Sequence, residues 1–287
     1  MQTMTADSQP SSEKGDSPTD HLSAAQASRL LVERTVLDEQ VRGSGGRSQS
    51  WGVWTWLGPL LALAGIVVLT GVVVPLVAPD RGLGRVVVAI AAVIGGELLL
   101  LLALLALLAF GRGVAARGGG WRATFGLDWI RKRDWRPWIL GFGIVYACRT
   151  AVLLTAAVLT DGRAVEEARN LDIGSPTVLS IVVLVILIVV LAPVTEELMF
   201  RGLLLRSFLR RMTFWPAALL STLLFSLFHV YQVGTVLGAV TLALSVAALG
   251  LGNCFIVRIT GRLTPAIMVH AAFNALTLGV ALATSGG

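Results

Sequence analysis

The 287-residue chain is 55% hydrophobic and only 14% charged, with a formal net charge of +6, and its apolar residues gather in runs of about twenty or more, the length of a bilayer crossing. This composition excludes one large soluble core and predicts an all-α polytopic membrane protein. The basic excess lies in the connections between apolar runs, so it reads as a topology determinant and not as a nucleic-acid footprint.

Residues 1–50 are rich in Ser, Gly, Asp, Glu and Gln and predict a disordered cytoplasmic tail. Within it, Leu30, Leu31, Val36, Leu37 and Val41 hint at a short amphipathic turn on a surface. No early apolar stretch precedes residue 51, so the first membrane helix is expected to act as the insertion signal in place of a cleaved peptide. Residues 51–110 predict two N-terminal membrane helices, about Trp51 to Ala78 and Val86 to Phe110, the first anchored by Trp51, Trp54 and Trp56. Residues 111–136 form a basic loop with Arg112, Arg117, Arg122, Arg131, Lys132, Arg133 and Arg136. Its Trp121, Trp129 and Trp135 predict that it lies along the headgroups.

The remaining residues, 137–287, predict an intramembrane helical core. A third span covers about Pro137 to Thr160, and an acidic connection with Asp161, Glu166, Glu167 and Asp172 follows. Ser175-Pro176 is expected to cap the fourth span, a nearly unbroken apolar run from Thr177 that carries LAPVTEELMFR at 191–201. Spans five and six cover about Trp215 to Tyr231 and Val233 to Val257, and Thr264-Pro265 is expected to cap span seven as Ser175-Pro176 caps span four. With the N-terminus in the cytoplasm, fifteen basic residues near the span ends, counting only Arg34, Arg42 and Arg47 from the tail, fall on the cytoplasmic side and four on the other, which sets the orientation by the positive-inside rule. Cys148 and Cys254 lie inside apolar runs and read as small packing residues, not as a disulfide or a Cys-based zinc site.

Charged residues inside a membrane helix cost roughly 2.5–3.5 kcal/mol each near its centre, so they persist mainly where they face protein or a wet cavity. Glu197 and Arg201 stand i, i+4 and can pair, whereas Glu196 points about 100° away and remains for chemistry. Pro193 cannot donate to the carbonyl of Val189, and a kink is expected just before the carboxylates. The chain has three histidines, of which His229 (in FSLFH, below Phe225) and His270 (in HAAFN, beside Asn274) lie in membrane spans. Glu, His, His and Asn can converge to activate water or hold a metal, with the Asn amide donating to an oxyanion or fixing a His tautomer. Taken singly, an intramembrane His or Asn is more often an interhelical hydrogen bond than a catalyst.

EELMFR, FSLFH and HAAFN, in that order on successive helices, resemble the EExxxR, FxxxH and HxxxN motifs of the CPBP family. These are CAAX-processing and bacteriocin-processing intramembrane endopeptidases, also called the Abi group. The resemblance spans about Thr177 to Leu282, and FGLDW at Phe125 is similar to a short segment that such proteins carry before an early core helix. It implies that the last four helices form the catalytic core and that a membrane-associated or lipidated peptide is the substrate. Glu196 would activate water with His229, His270 and Asn274 would complete the site and stabilise the oxyanion, and Glu197 and Arg201 would brace it. Members are treated both as zinc enzymes, for which Glu196, His229 and His270 are the available ligands and Glu197 would become the base, and as metal-independent glutamate proteases. The expected location is the cell membrane, with the site opening toward the cytoplasm. Two other readings stay open: a carrier using Glu97, Arg149 and Glu196, and a non-catalytic membrane scaffold or immunity protein. Glu97 and Arg149 themselves are expected to form an intramembrane ion pair.

Overall fold

The computed structural model describes residues 64–65, 96, 126–127, 129–169, 177–209, 211–230 and 233–284. The expected tail, nearly all of the first two spans, most of the basic loop, Glu97 and the Ser175-Pro176 cap lie outside these residues.

Among the described residues every regular element is helical. A 3-10 turn at Lys132–Asp134 leads into α1, Trp135–Thr160. Pro137 stands in its first turn, where a missing N–H is harmless. The helix stops at Asp161, whose left-handed backbone lets its N–H reach back to the carbonyl of Ala157. The short α2, Arg163–Glu167, follows. Five consecutive segments from Val178 to Leu209 then form one long helix, α3, in which Val185–Leu191 and Leu198–Leu204 are π-helical and the intervening Ala192–Glu197 is α-helical.

α4 is Phe214–Val230, α5 is Val236–Thr260 and α6 is Leu263–Thr284. α5 opens on a true cap, the Thr235 hydroxyl accepting from Gly238 N at 3.1 Å, and closes on Gly261 at a φ of 66°, a conformation that glycine adopts without strain. The expected ends of spans five and six and the expected start of span seven fall within three residues of these. The Thr264-Pro265 cap is corrected: α6 already starts at Leu263, and the Thr264 hydroxyl donates to the carbonyl of Gly126 at 3.3 Å. Through that bond Thr264 ties α6 to the segment before α1.

α1, α3, α5 and α6 are long and apolar enough to cross a bilayer, and α4 is a shorter apolar helix. Leu140, Ile144, Leu154, Val158 and Leu159 of α1 and Val178, Leu179 and Ile186 of α3 face outward. So many outward-facing apolar side chains suit surroundings that are also apolar. α5 is the hub, packing against α4, α1 and α6, while α3 packs against α6 and α4.

One end of the bundle is closed by arginines. Arg262 forms a buried ion pair with Asp134 and donates to Trp129 O at 3.1 Å, and Arg206 donates to Gly261 O at 3.3 Å. These contacts join the end of α3, the α5–α6 turn and the start of α1. Basic residues expected on the cytoplasmic side from separate stretches of sequence therefore meet at one end.

Pro193, where a kink is expected, lies between two π-helical stretches, and the hydrogen bonds explain why. At the end of the first π segment Ala192 N–H donates to Leu187 O, five residues back. The next donor in that register would be Pro193, which has no N–H, and its acceptor would be Ile188 O. Asn274 of α6 supplies the missing donor, its Nδ2 lying 2.8 Å from Ile188 O. Wide turns also relieve the clash that a proline ring makes with the carbonyl four residues back.

Candidate active site

Helix α3 brings both glutamates to the centre of the bundle. Glu197 is fully buried, and one of its oxygens, Oε1, accepts from Arg201 Nη1 at 2.9 Å, Asn253 Nδ2 at 2.8 Å and His270 Nδ1 at 2.9 Å. The i, i+4 pair read from the sequence is thus present. It is also part of a larger network, because Arg201 donates from Nη2 to Gly250 O at 2.8 Å and its guanidinium lies 4.5 Å from the Phe225 ring centre. The close approach of Arg201 to α5 needs a glycine: a Cβ on Gly250 would stand 2.9 Å from Thr222 Cγ2 and 3.3 Å from Arg201 Nη2.

Glu196 turns toward the other two elements. Its Oε2 lies 3.7 Å from His270 Nε2 and 3.9 Å from His229 Nε2. The tautomers follow from the partners of the far ring nitrogens. His229 Nδ1 is 2.8 Å from Phe225 O, which can only accept, so Nδ1 carries the proton. His270 Nδ1 faces the arginine-paired carboxylate of Glu197 and also donates. In the neutral form each imidazole presents an Nε2 lone pair toward Glu196. Phe225 packs both rings, its centroid 4.7 Å from that of His229 and 5.8 Å from that of His270.

The depths agree because α3 is long. Glu196 lies about 20 Å before the end of α3 and His270 about 10 Å after the start of α6, so α3 overshoots α6 at the arginine-closed end. Access differs among the three groups: the side chains of His270 and Glu196 are 2% and 7% exposed, that of His229 15%. The site is most open beside His229.

Asn274 is where the structure departs from the expected tautomer role. Its amide serves the carbonyl of Ile188, and the tautomer of His270 is fixed by Glu197. Arg149 lies with its guanidinium 4.8 Å from the Phe273 ring centre and 5.7 Å from that of Tyr146, while its expected partner Glu97 is outside the described residues. Cys254 is buried and Cys148 exposed, both as free thiols. Sequence reasoning missed Asn253, fully buried in α5 and bonded to Glu197. The signal was available: an amide inside an apolar run, the same signal that singled out Asn274.

Glu196, His229 and His270 match zinc in donor type, and each imidazole already has an acceptor on its other nitrogen, as metal-bound histidines do. Their spacing is wider than the roughly 3.3 Å between ligands on a tetrahedral zinc with bonds of about 2.0–2.1 Å. As placed, among the described residues no three or more His, Cys, Asp or Glu side chains are close enough to hold a metal ion.

Residues 178–276, which contain all three motifs, match the family model described as type II CAAX prenyl endopeptidase Rce1-like. This segment is an Rce1-like domain of the CPBP family. The family is one of CAAX prenyl endopeptidases, which are peptide hydrolases. With that domain and four helices capable of crossing a bilayer, the chain is a multi-pass membrane protein. No curated protein and no solved structure matches it.

Proposed function

We propose that the protein is an intramembrane endopeptidase in which Glu196 activates the attacking water, acting on a membrane-associated or lipidated peptide. The observation that carries this reading is the grouping of three acceptors, the Nε2 atoms of His229 and His270 lying 3.9 and 3.7 Å from Glu196 Oε2. A water among them donates to two acceptors and turns its own lone pair outward, toward an incoming carbonyl. As the oxygen–carbon bond forms, Glu196 takes the water proton and the carbonyl becomes a tetrahedral oxyanion. The amide of Asn274, on the face of α6 that carries His270, spends one N–H on Ile188 and donates to the oxyanion with the other. Collapse breaks the carbon–nitrogen bond, and Glu196 returns its proton to the leaving nitrogen.

Glu197 suits a brace better than a base. Three donors already converge on its Oε1, and each favours the ionised carboxylate that must otherwise accept a proton during turnover. If zinc is bound, Glu196, His229 and His270 would hold it, and it would supply Lewis-acid polarisation of the scissile carbonyl. The wider opening beside His229 favours substrate entry along α4, with the cavity opening toward the cytoplasm.

The test is cleavage of a farnesylated CAAX peptide and a non-prenylated peptide library by the full chain in lipid nanodiscs, with Glu196→Gln alongside. The wild-type protein is expected to cleave and the folded variant not to. Equal product from both would move the base away from Glu196, and none from either would leave the carrier or scaffold reading in its place.

A further inference from the structure

We propose that Asn253, which belongs to none of the three motifs, is a positioning residue that holds His270 in its working tautomer and at its working depth. The proposal rests on the peptidase reading above for its kinetic arm and on geometry for the rest. Asn253 is fully buried in α5, and its Nδ2 makes two contacts, with Glu197 Oε1 at 2.8 Å and with Ala266 O at 3.2 Å. Both partners belong to His270. Glu197 Oε1 is the acceptor for its Nδ1–H, and Ala266 is the residue one helical turn before it on α6. One amide therefore grips the carboxylate that orients the imidazole and the backbone turn from which the imidazole projects.

The orientation of the amide is set by its surroundings. Both contacts are with acceptors, so the flipped amide would place oxygen against oxygen twice. In the orientation present, Oδ1 is buried with no hydrogen-bond partner among the described residues. An apolar side chain of similar size would avoid that cost, which makes a packing role alone a poor account of an amide here. Without Asn253, Glu197 Oε1 keeps Arg201 and His270 as donors but loses the contact that holds it against α5. The carboxylate is then free to turn and the tautomer of His270 is no longer fixed, so Nε2 ceases to be a dedicated lone pair facing Glu196.

The experiment uses the full chain in nanodiscs with 15N-labelled histidine, tractable because there are only three histidines, alongside cleavage of the farnesylated peptide per mole of folded protein. Wild type should show His270 as a single Nδ1–H tautomer. Asn253→Leu should show a mixture of tautomers and a kcat lowered about 10–100-fold, the usual effect of losing an outer-shell partner, with KM unchanged. In a Glu197→Gln background the same substitution should cost much less, since its partner is already altered. Asn253→Ala, which leaves room for water, is read in the same way if the leucine variant does not fold. Folded variants with the wild-type tautomer and kcat would overturn the proposal, as would failure of both variants to fold, which would make Asn253 a packing residue. A wild-type protein without cleavage would sink the peptidase reading, and the tautomer measurement would still decide the role of Asn253.

Discussion

Glu196 and Glu197 are adjacent and chemically identical, yet their surroundings assign them opposite responses to the same substitution. Glu197→Gln removes the negative charge that three donors share and leaves Arg201, fully buried, with its charge uncompensated by that carboxylate. Breaking one side of a buried pair costs about 3–5 kcal/mol, and in a chain of this size each kcal/mol moves the melting temperature by about 2–4 °C. A fall of about 6–20 °C is therefore expected, with lost turnover following the lost folded fraction. Glu196→Gln keeps the shape and hydrogen-bonding capacity of a side chain that faces two imidazoles and not a buried guanidinium. Its melting temperature should shift by no more than a few degrees, while kcat falls by about 10²–10⁴ because the amide cannot take a proton. Tryptophan fluorescence during heating reports the first quantity, and peptide cleavage normalised to folded protein the second. A thermally unchanged Glu197→Gln protein, or a Glu196→Gln protein that melts early and keeps its turnover, would refute the division of labour.

Asn274→Ala should orphan the carbonyl of Ile188 and lower stability by about 1–3 kcal/mol, and adding Pro193→Ala, which restores a backbone donor, should recover part of it; additive losses in thermal melts would show that the two residues do not share that acceptor. Gly250→Ala would bring a methyl to 2.9 Å from Thr222 Cγ2 and against Arg201, so both melting temperature and turnover should drop, and an unperturbed variant would mean that α4 and α5 separate more easily than their packing implies. Single cysteines near Arg131 and Gly287, in a background lacking Cys148 and Cys254, should be labelled by an impermeant reagent from opposite sides of the membrane. Labelling of both from one side would contradict five crossings between them. The charge-neutral double change Glu97→Gln with Arg149→Gln should recover yield lost in either single change; equal loss would argue against a pair.

Much of the architecture is legible without coordinates because it depends on local quantities. The length and continuity of an apolar run decide whether it can span a bilayer, and the ends of α1, α4 and α5 and the start of α6 fall within three residues of those expected. Helical pitch is equally local: it alone puts Arg201 within reach of Glu197, Phe225 against His229 and Glu196 on a different face. What pitch leaves open is which face of one helix meets which face of another, because rotation and depth are set by packing across the whole bundle. Only the tertiary structure brings His270 between the two glutamates, sends Asn274 to the carbonyl that Pro193 cannot serve, and turns Asn253 and Gly250 of the motif-free α5 onto Glu197 and Arg201. The same holds for Thr264, whose hydroxyl donates to Gly126 before α1. Each of these contacts joins residues distant in sequence, so none leaves a spacing for the eye to find.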